Sequence, residues 1–231
     1  YRTVLVHGGG KTVSATSAIF GYTPTFRDGV RVTSVEEMTV VDMVLAGRIN
    51  TELVRLAQRH GVAAVGITGA DMALLQGRLV DAAHDGEIPS RTATVKSVSL
   101  VPVDIVLDAG ALPVIATVGT GEDGYAVNIN ADEAARAIAV AYAERAEEVA
   151  LVFLSDTPGV LDGDGTVIPA VATDEVEQLI AAGIVSGGMT EKVRSSRRAI
   201  EAGLQRVIIG EYRDNGDLAA IVSGRKGTTI R

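Results

Sequence analysis

Short apolar runs alternate with longer helical patterns along this chain, and that alternation limits the fold more than any other feature. Several of the runs lack polar residues at alternate positions, which is typical of parallel strands covered on both faces. A strand–helix–strand order predicts a parallel sheet between helices, with ligands beyond the carboxyl ends of the strands. The predicted strands are residues 3–6, 62–67, 112–118, 149–154 and 206–209.

The predicted helices carry recognisable start and stop signals. Ser34 can cap a long helix, Glu37 stands three residues further on as in a capping box, and Gly61 closes the helix. The other predicted helices are residues 132–146, 174–182 and 190–202. Residues 81–91 are predicted to form a turn or hairpin tip, and a boundary between two lobes is predicted near residues 145–149.

Composition and charge exclude several classes of function. The 231 residues include 21 basic and 29 acidic side chains, and the resulting charge of −8 repels polyphosphate chains, so nucleic acid is not an expected partner. The absence of Cys excludes disulfides and thiolate catalysis, and the 3 His show no metal-ligand spacing. No apolar run approaches the roughly 20 residues of a membrane span. Cytoplasm is the predicted compartment, although Tyr1 is not a natural start and leaves a lost leader open.

A triple glycine, Gly8–Gly10, lies between the first apolar run and a helical pattern. Such a turn can aim free backbone amides at an anion near a helix N-terminus. The P-loop pattern fails because Leu5 occupies its first glycine position, and the dinucleotide fingerprint fails at Val13. A tight turn without a ligand is an equally good interpretation of the glycines alone. His7 beside the turn is interpreted as a structural hydrogen-bonding residue rather than a catalyst.

Two further stretches place polar groups next to helix starts. Arg31 lies just before the cap of the long helix, where a carboxylate could meet a guanidinium group and helix-end amides; a solvated surface arginine is the alternative. In the stretch NINAD, Asn128 and Asn130 point the same way if the segment is extended, and Asp132 opens the next helix. Helix capping would explain Asp132 but not the paired asparagines.

The second half of the chain contains two further loops that could bind a ligand. FLSDTPGVLDGDG, residues 153–165, is rich in backbone donors and acidic groups, and an ordinary series of Asp/Gly turns is the alternative interpretation. In SGGMTEK, residues 186–192, two glycines precede a helix whose first turns carry Lys192, an arrangement that phosphates favour. The arginines that follow, at positions 194, 197 and 198, are interpreted as a solvated basic face.

The order of these motifs resembles the amino acid kinase family over essentially the whole chain. The residues that carry the resemblance are HGGG, FRDGVRVT, GALPVIATVG, VNINADEAA, LSDTPGVL, GGMTEKV and the final GTTI. The resemblance implies a three-layer α/β sandwich with an open, mainly parallel sheet between helices. It implies an acyl-amino-acid-binding lobe over residues 1–147 and a nucleotide-binding lobe over residues 148–231. It also implies a homodimer at least.

The implied reaction moves the γ-phosphoryl group of ATP, with Mg²⁺ on the nucleotide, to the side-chain carboxylate of N-acetyl-L-glutamate. The product is N-acetyl-L-glutamyl 5-phosphate, an intermediate of arginine biosynthesis. A carboxylate is already nucleophilic, so the reaction needs positioning and charge neutralisation rather than a general base. A site without His, Cys or Ser machinery agrees with that chemistry.

The resemblance also assigns roles to individual residues. Gly9 and Gly10 would contact the acceptor and the transferring phosphoryl group, Arg31 would bind the α-carboxylate, and Asn128 and Asn130 would hold the acylated amino acid. Asp132 would orient the catalytic lysines, and Lys192 would stabilise charge on the phosphoryl group. The nucleotide pocket would be lined by Asp156, Thr157, Gly159, Leu161, Ile184 and Ser186.

Two departures from the family pattern are visible. No Lys-x-Gly-Gly turn, which carries the family's other phosphoryl-stabilising lysine, precedes Tyr1 in these 231 residues. We therefore expect these residues by themselves to be impaired in catalysis, and equal turnover with and without a restored N-terminal segment would contradict that expectation. In addition, Asp71-Met72 stands where relatives usually carry Asp-Gly, so the adjacent loop is not expected to contribute to the substrate pocket in the way it does in relatives.

Two rival functions stay open at this point. One is the related kinase that phosphorylates carrier-protein-linked α-aminoadipate or glutamate in lysine biosynthesis. The other is a non-catalytic homologue that binds acyl-amino acid or nucleotide, which the missing lysine favours and the retained Asn128, Asp132 and Lys192 oppose.

Overall fold

The computed structural model describes residues 1–27, 30–80 and 90–231, and these form two compact units, Tyr1–Ala134 and Ala135–Arg231. Most of the turn predicted over residues 81–91, together with the central Asp-Gly of FRDGVRVT, lies outside the described residues. Each unit is described by itself below. The prediction of an acceptor-binding lobe and a nucleotide-binding lobe, divided at residues 147–148, stays a prediction.

The elements of the described residues follow the predicted alternation of strand and helix. The strands are β1 Leu5–His7, β2 Thr25–Arg27, β3 Val30–Val32, β4 Ala64–Thr68, β5 Leu75–Leu79, β6 Thr92–Val98, β7 Leu112–Ala116, β8 Val118–Gly121, β9 Ala126–Ile129, β10 Leu151–Leu154, β11 Ala170–Val171, β12 Val207–Gly210 and β13 Thr228–Ile230. The helices are α1 Gly10–Ile19, α2 Val35–Asp42, α3 Asn50–Arg59, α4 Val101–Asp108, α5 Ala131–Ala143, α6 Val176–Ala181, α7 Gly188–Glu201 and α8 Asp217–Val222. None of the helices in residues 1–27, 30–80 and 90–231 is long and apolar enough to cross a membrane.

The first unit contains a parallel sheet in the order β1-β7-β4. The central strand β7 is an unbroken apolar run, and Val114, Ile115 and Ala116 in it are fully buried. Leu5 pairs with Val114 on one side, and Gly66 pairs with the same residue on the other. The predicted α/β class with parallel strands between helices is confirmed.

A small closed barrel, formed by β5, β6, β9 and β8, was not predicted from the sequence. The strand predicted over residues 112–118 is present as β7 but ends at Ala116, because the chain leaves the parallel sheet there and enters the barrel at Val118. Glycines allow the barrel to close tightly. A Cβ at Gly119 would stand 2.5 Å from the Leu75 carbonyl oxygen, and one at Gly77 would stand 2.7 Å from the Val127 side chain.

The long predicted helix is present but is interrupted. Ser34 caps α2 by accepting a hydrogen bond from the Glu37 backbone N–H at 3.1 Å, and the helical run ends at Gly61, whose φ is +74°. Between α2 and α3 lies a π-helical segment, Met43–Ile49. Such segments are uncommon and are concentrated at functional sites. The side-chain half of the predicted capping box is absent, because the Glu37 carboxylate faces Arg31 and Ser17 instead.

The second unit has its own sheet, in the order β10-β12-β13-β11. Strands β10 and β12 are parallel and β12 and β13 antiparallel, so this sheet is mixed. Val207, Ile209 and Ile230 are fully buried in its apolar core. The predicted helices 174–182 and 190–202 are present as α6 and α7, whose bounds differ from the prediction by one or two residues.

Candidate active site

The glycine turn joins β1 to α1 and leaves the start of α1 open. Among the described residues no side chain caps this helix, whose first turn therefore presents N–H groups that lack an intrahelical partner. A Cβ at Gly9 would stand 2.2 Å from the Ile49 side chain of the π-helical segment, so the turn packs directly against that segment. Gly10 is exposed, and a Cβ there would meet nothing within 4 Å. The turn has both the space and the donors that an anion needs.

Arg31 on β3 is buried rather than solvated, with 7% of its surface exposed. Its guanidinium group donates to the Glu37 carboxylate at 3.0 Å, to the Gly10 carbonyl oxygen at 3.3 Å and to the Ser14 hydroxyl. It also lies 4.8 Å above the centre of the Phe26 ring. The surface alternative for Arg31 is therefore wrong. The guanidinium group is fixed against the glycine turn, next to the first turn of α1.

Asn128 on β9 is linked to β3 through a buried threonine. Its side-chain amide donates to the Thr33 hydroxyl at 2.9 Å, and Thr33 lies two residues after Arg31. The Thr92 hydroxyl accepts from the Thr33 backbone N–H at 3.0 Å and donates to the Arg31 carbonyl oxygen at 2.7 Å. Two threonines therefore tie β3 to the barrel and bring Arg31 and Asn128 into one region of the first unit.

Asn130 caps helix α5, a role that the sequence suggested for Asp132. Its side-chain oxygen accepts from the backbone N–H groups of Asp132 and Glu133, at 2.9 and 3.2 Å, and therefore caps α5. The helix begins at Ala131, so Asp132 is a first-turn residue and not the cap. A Cβ at Gly8 would lie 3.2 Å from the Ala131 Cβ, which places the start of α5 beside the glycine turn.

Glu37, Ser14, Thr33 and Thr92 were not predicted as parts of this region. Glu37 drew attention in the sequence, but only as a capping residue. The threonines carry no motif of their own, and the pairing of strands far apart in the chain decides their contacts.

In the second unit, the loop after β10 is held by β13. The Thr228 hydroxyl accepts from the Val160 N–H at 2.8 Å and donates to the Ile168 carbonyl oxygen at 2.7 Å. A Cβ at Gly159 would stand 2.6 Å from this hydroxyl, so glycine is needed there. Of the predicted nucleotide residues on this loop, Asp156 is exposed, Thr157 lies 3.3 Å from the Ser155 hydroxyl, and Leu161 forms a bridge with Val167.

Part of the same loop is an ordinary turn. The Asp162 carboxylate accepts from the backbone N–H groups of Asp164 and Thr166, at 3.0 and 2.8 Å. The alternative of an Asp/Gly turn series therefore applies to residues 162–166, which were not among the predicted site residues.

Helix α7 begins after a second glycine turn. Gly187 has a φ of +58°, a conformation that side chains other than glycine rarely adopt. Lys192 lies in the first turns of α7, with its ammonium nitrogen 5.5 Å from the centre of the Phe153 ring. Ile184 and Ser186, before the turn, are exposed, and their role in the nucleotide pocket stays a prediction.

The arginines of α7 do not take part in this turn. Arg194 and Arg197 pair with Glu177 at 3.1 Å each, and Arg198 pairs with Glu191. Their partly exposed positions agree with the interpretation of a solvated basic face.

The loop with the second departure from the family pattern is strained at two consecutive residues, Met72 and Ala73. Asp71 accepts from the Thr68 backbone N–H at 2.6 Å, and Met72 and Ala73 have φ values of +49° and +56°. Glycine adopts this conformation freely and methionine does not. The doubt raised by the sequence therefore has a physical basis, since this loop holds a methionine in a glycine conformation.

The histidine next to the glycine turn has a shifted pKa. Burial lowers the pKa of His7, partly opposed by its hydrogen bond with the Gly8 backbone. Among the described residues, no group of three or more His, Cys, Asp and Glu side chains is arranged to hold a metal ion.

These features define an α/β protein with two strand-to-helix or loop-to-helix glycine turns suited to anions, one in each unit. Comparison with known proteins makes the assignment more specific. The model of the amino acid kinase family matches residues 1–211. The acetylglutamate kinase of Methanopyrus kandleri is 41% identical over 234 residues, covering 99% of this chain and 91% of the relative. The acetylglutamate kinase of Nautilia profundicola is 35% identical, covering 100% of this chain and 79% of the relative.

A solved structure has a similar fold. The protein smu.665 of Streptococcus mutans UA159 superposes with a TM-score of 0.83 at 25% identity, covering 98% of this chain and 84% of that one. The chain belongs to the amino acid kinase family.

Proposed function

We propose that this protein transfers the γ-phosphoryl group of ATP to the side-chain carboxylate of N-acetyl-L-glutamate, as a step of arginine biosynthesis. The observation that carries the proposal is the similarity to acetylglutamate kinases, 41% and 35% identical over 99% and 100% of this chain. The class of enzyme follows from these relatives, and the acceptor follows from their shared name.

The first unit supplies the groups proposed for the acceptor. Arg31 would bind the α-carboxylate, Gly9 and Gly10 would donate amides to the side-chain carboxylate and the phosphoryl group, and Asn128 would hold the N-acetylated amino acid. What supports these roles is the hydrogen bonding that fixes Arg31 against the Gly10 carbonyl and Asn128 against Thr33. Asn130 would act indirectly, because its side chain is engaged at the start of α5.

The second unit supplies the groups proposed for the nucleotide. Lys192 would neutralise charge on the phosphoryl group, with the N-terminal amides of α7 adding to the same field. The loop residues Asp156, Thr157, Gly159 and Leu161, with Ile184 and Ser186, would line the nucleotide pocket. Asp132, in the first turn of α5, is proposed to orient Lys192.

The reaction needs no base. A glutamate side chain has an ordinary pKa of about 4.3 and is ionised at neutral pH. Its oxygen forms a bond to the γ-phosphorus, the bond between that phosphorus and the β–γ bridging oxygen breaks, and ADP leaves with the electron pair. The protein's work is to hold two anions in line and to neutralise their repulsion. Mg²⁺ would arrive on the ATP phosphates, in keeping with its preference for substrate phosphates over dedicated protein cages.

The homodimer and the cytoplasmic compartment are also proposals. They rest on the family resemblance and on the absence of any Cys or long apolar run in the sequence.

The direct test is an assay with ATP, Mg²⁺, N-acetyl-L-glutamate and hydroxylamine, which converts an acyl phosphate into a coloured hydroxamate. We expect hydroxamate and ADP in equal amounts, with less of both from these 231 residues alone than from a form that begins with a Lys-x-Gly-Gly strand, and little product from L-glutamate or N-acetyl-L-aspartate. The assay is run on these 231 residues and on the same residues preceded by a Lys-x-Gly-Gly strand. Product from carrier-linked α-aminoadipate instead would favour the rival kinase, and ATP binding without product in either form would favour a non-catalytic protein.

A variant pair tests the role of Lys192. Lys192→Met should lower kcat by about 100-fold or more, because it removes a cation from the transferring group. Lys226→Met is the control, since Lys226 pairs with Asp217 at 2.6 Å on the same unit. Equal kcat values for the two variants would contradict the role proposed for Lys192.

A further inference from the structure

We propose that His7 is a positioning residue that Asn50 holds as the neutral Nδ1–H tautomer, and that His7 thereby fixes the Gly8–Gly9 peptide and aims the Gly9 N–H. The inference rests on the proposed function in one respect: that function identifies the acceptor carboxylate and the phosphoryl group as what the Gly9 N–H would bind. The hydrogen bonds that support it all lie within the first unit.

The orientation of the Asn50 amide is set by backbone carbonyl groups. Its nitrogen lies 2.8 Å from the Val114 oxygen and 3.4 Å from the Ile67 oxygen, and carbonyl oxygens only accept hydrogen bonds. The group that faces them must therefore be the NH₂ and not the oxygen. Asn50 is 5% exposed, and the polar groups of a buried amide are normally hydrogen-bonded.

The orientation of Asn50 then determines the tautomer of His7. The Asn50 NH₂ group has two hydrogens, and its two shorter contacts are the Val114 oxygen at 2.8 Å and the His7 Nε2 atom at 3.2 Å, so Nε2 must accept and carries no hydrogen. The proton of the neutral ring is therefore on Nδ1, which lies 3.0 Å from the Gly8 carbonyl oxygen and can donate to it. Both nitrogens of this buried ring are satisfied in one tautomer and not in the other. The lowered pKa of His7 is consistent with a neutral ring.

The Gly8 carbonyl determines the direction of the next amide. The Gly8 C=O and the Gly9 N–H belong to one planar trans peptide unit, so they point in opposite directions and rotate together. A ring that holds the carbonyl therefore also holds the N–H. Glycine has no side chain to restrict this rotation, which makes an external restraint necessary.

The other side of the turn is restrained by packing. Ile49 and Leu45 approach Gly9 so closely that a Cβ would stand 2.2 and 2.8 Å from their side chains. Both residues belong to the π-helical segment, and Asn50 is the first residue of the helix that follows. The same stretch thus contacts Gly9 directly and reaches the Gly8–Gly9 peptide through Asn50 and His7.

The tautomer is measured by NMR on protein with ¹⁵N-labelled histidine, from two-bond correlations between the ring hydrogens and nitrogens. The chain has 3 His, and the signals of His7 are those lost in His7→Phe. We expect His7 to be protonated at Nδ1 alone at pH 7.5. Protonation at Nε2, or at both nitrogens, would overturn the inference.

Kinetics test the positioning role. His7→Phe should lower kcat/KM for N-acetyl-L-glutamate by ~10- to 100-fold, since misplacing an amide by a fraction of an ångström weakens transition-state contacts. The KM for ATP should change less than twofold, and the Gly9 amide resonance should shift. The matched control is His60→Phe, because His60 is exposed at the end of α3 and should keep wild-type values.

The outcomes separate the inference from the proposed function. A folded His7→Phe protein with unchanged kcat/KM would overturn the positioning role, and a role in stability alone would lower the unfolding midpoint without altering kinetics of the folded protein. If the wild type does not phosphorylate N-acetyl-L-glutamate, the proposed function fails. The Gly9 resonance then decides the inference: a shift in His7→Phe supports it and an unchanged resonance overturns it.

Discussion

Arg31 and Glu37 form an ion pair inside the first unit, with side chains only 6% and 5% exposed. The same carboxylate oxygen accepts from the Ser17 hydroxyl at 2.7 Å, so Glu37 joins β3 to α1. A charge this deeply buried is tolerated because it is paired and hydrogen-bonded. The proposed acceptor-binding arginine is therefore held in place before any ligand arrives.

Removal of the Glu37 charge should destabilise the protein. In Glu37→Gln the Arg31 guanidinium stays buried without a counter-charge, and we expect a loss of about 2–4 kcal/mol in the free energy of unfolding. Urea titration measures this value. Glu36→Gln is the control, because Glu36 is exposed and should change stability by less than about 0.5 kcal/mol. Equal effects of the two substitutions would contradict a structural role for the buried pair.

Asp123 gives the protein a defined acid sensitivity. Arg91 donates to both of its carboxylate oxygens, at 2.6 and 3.0 Å, and this hydrogen bonding is the main cause that lowers the Asp123 pKa to about 2. Because the folded-state pKa is below the ordinary value of 3.8, the pair stabilises the fold above about pH 4 and loses that effect as the pH falls towards 2.

Because 39% of the Asp123 side chain is exposed, solvent weakens the ion pair, and Asp123→Asn should lower stability at neutral pH by about 1 kcal/mol. This difference from wild type should shrink between pH 4 and pH 2. Unfolding midpoints across this pH range check the expectation. Asp108→Asn serves as the comparison, because Asp108 pairs with Arg2 on the surface, where both side chains are more than half exposed. A pH-independent difference for Asp123→Asn would show that the ion pair is not its source.

At the scale of elements, the position of β13 inside its sheet could not be predicted from its sequence. It lies between β12 and β11 and carries Thr228, whose buried hydroxyl holds both Val160 and Ile168. The loop after β10, proposed to contact the nucleotide, is thus fixed by β13, a strand that lies about 70 residues later in the sequence.

Thr228→Val should release this loop. The substitution keeps the side-chain shape but leaves the Val160 N–H and the Ile168 carbonyl without a partner, which should cost about 2–3 kcal/mol. The KM for ATP should rise while the KM for N-acetyl-L-glutamate stays the same. Thr228→Ser keeps the hydroxyl and should retain most of the loop's order. A Thr228→Val protein with wild-type stability would contradict this account.

The sequence predicted the elements that depend on local signals. Ser34, Gly61 and the apolar run of β7 mark their elements by capping, by positive φ and by continuous burial. The barrel was missed because its strands are short and contain Gly77 and Gly119, which weaken any strand pattern while permitting closure. The π-helical segment has no recognised sequence signal, and its residues read as a continuous helix.

The site could be predicted in its motifs but not in its supports. Arg31, Asn128 and Lys192 stand in recognisable stretches, and their roles stay predictions. Glu37 fixes Arg31, and Thr33 fixes Asn128. Both contacts depend on packing between separate elements of the chain, which the spacing of residues does not encode.

For the whole molecule, the proposed assignment of the acceptor to the first unit and the nucleotide to the second predicts that each ligand protects different backbone amides from exchange. Hydrogen–deuterium exchange should show N-acetyl-L-glutamate protecting peptides within residues 1–134, and Mg-ADP protecting peptides within residues 135–231. ADP is chosen because it lacks the γ-phosphoryl group that the glycine turn is proposed to contact. N-acetyl-D-glutamate is the control for stereospecific binding.

The reverse distribution of protection, or protection of both units by each ligand alone, would contradict the assignment of the two units to the two substrates.

The closed barrel also bears on how the protein reaches its native state. Its ring is completed when Gln76 and Gly77 pair with Thr120 and Gly121, residues far apart along the chain. Contacts of such long range require the chain to lose much of its conformational freedom before they form, which slows folding. Within the barrel, we therefore expect the antiparallel pairs β5–β6 and β8–β9 to form first and the ring to close after them, so that Asn128 on β9 acquires its native surroundings only on closure.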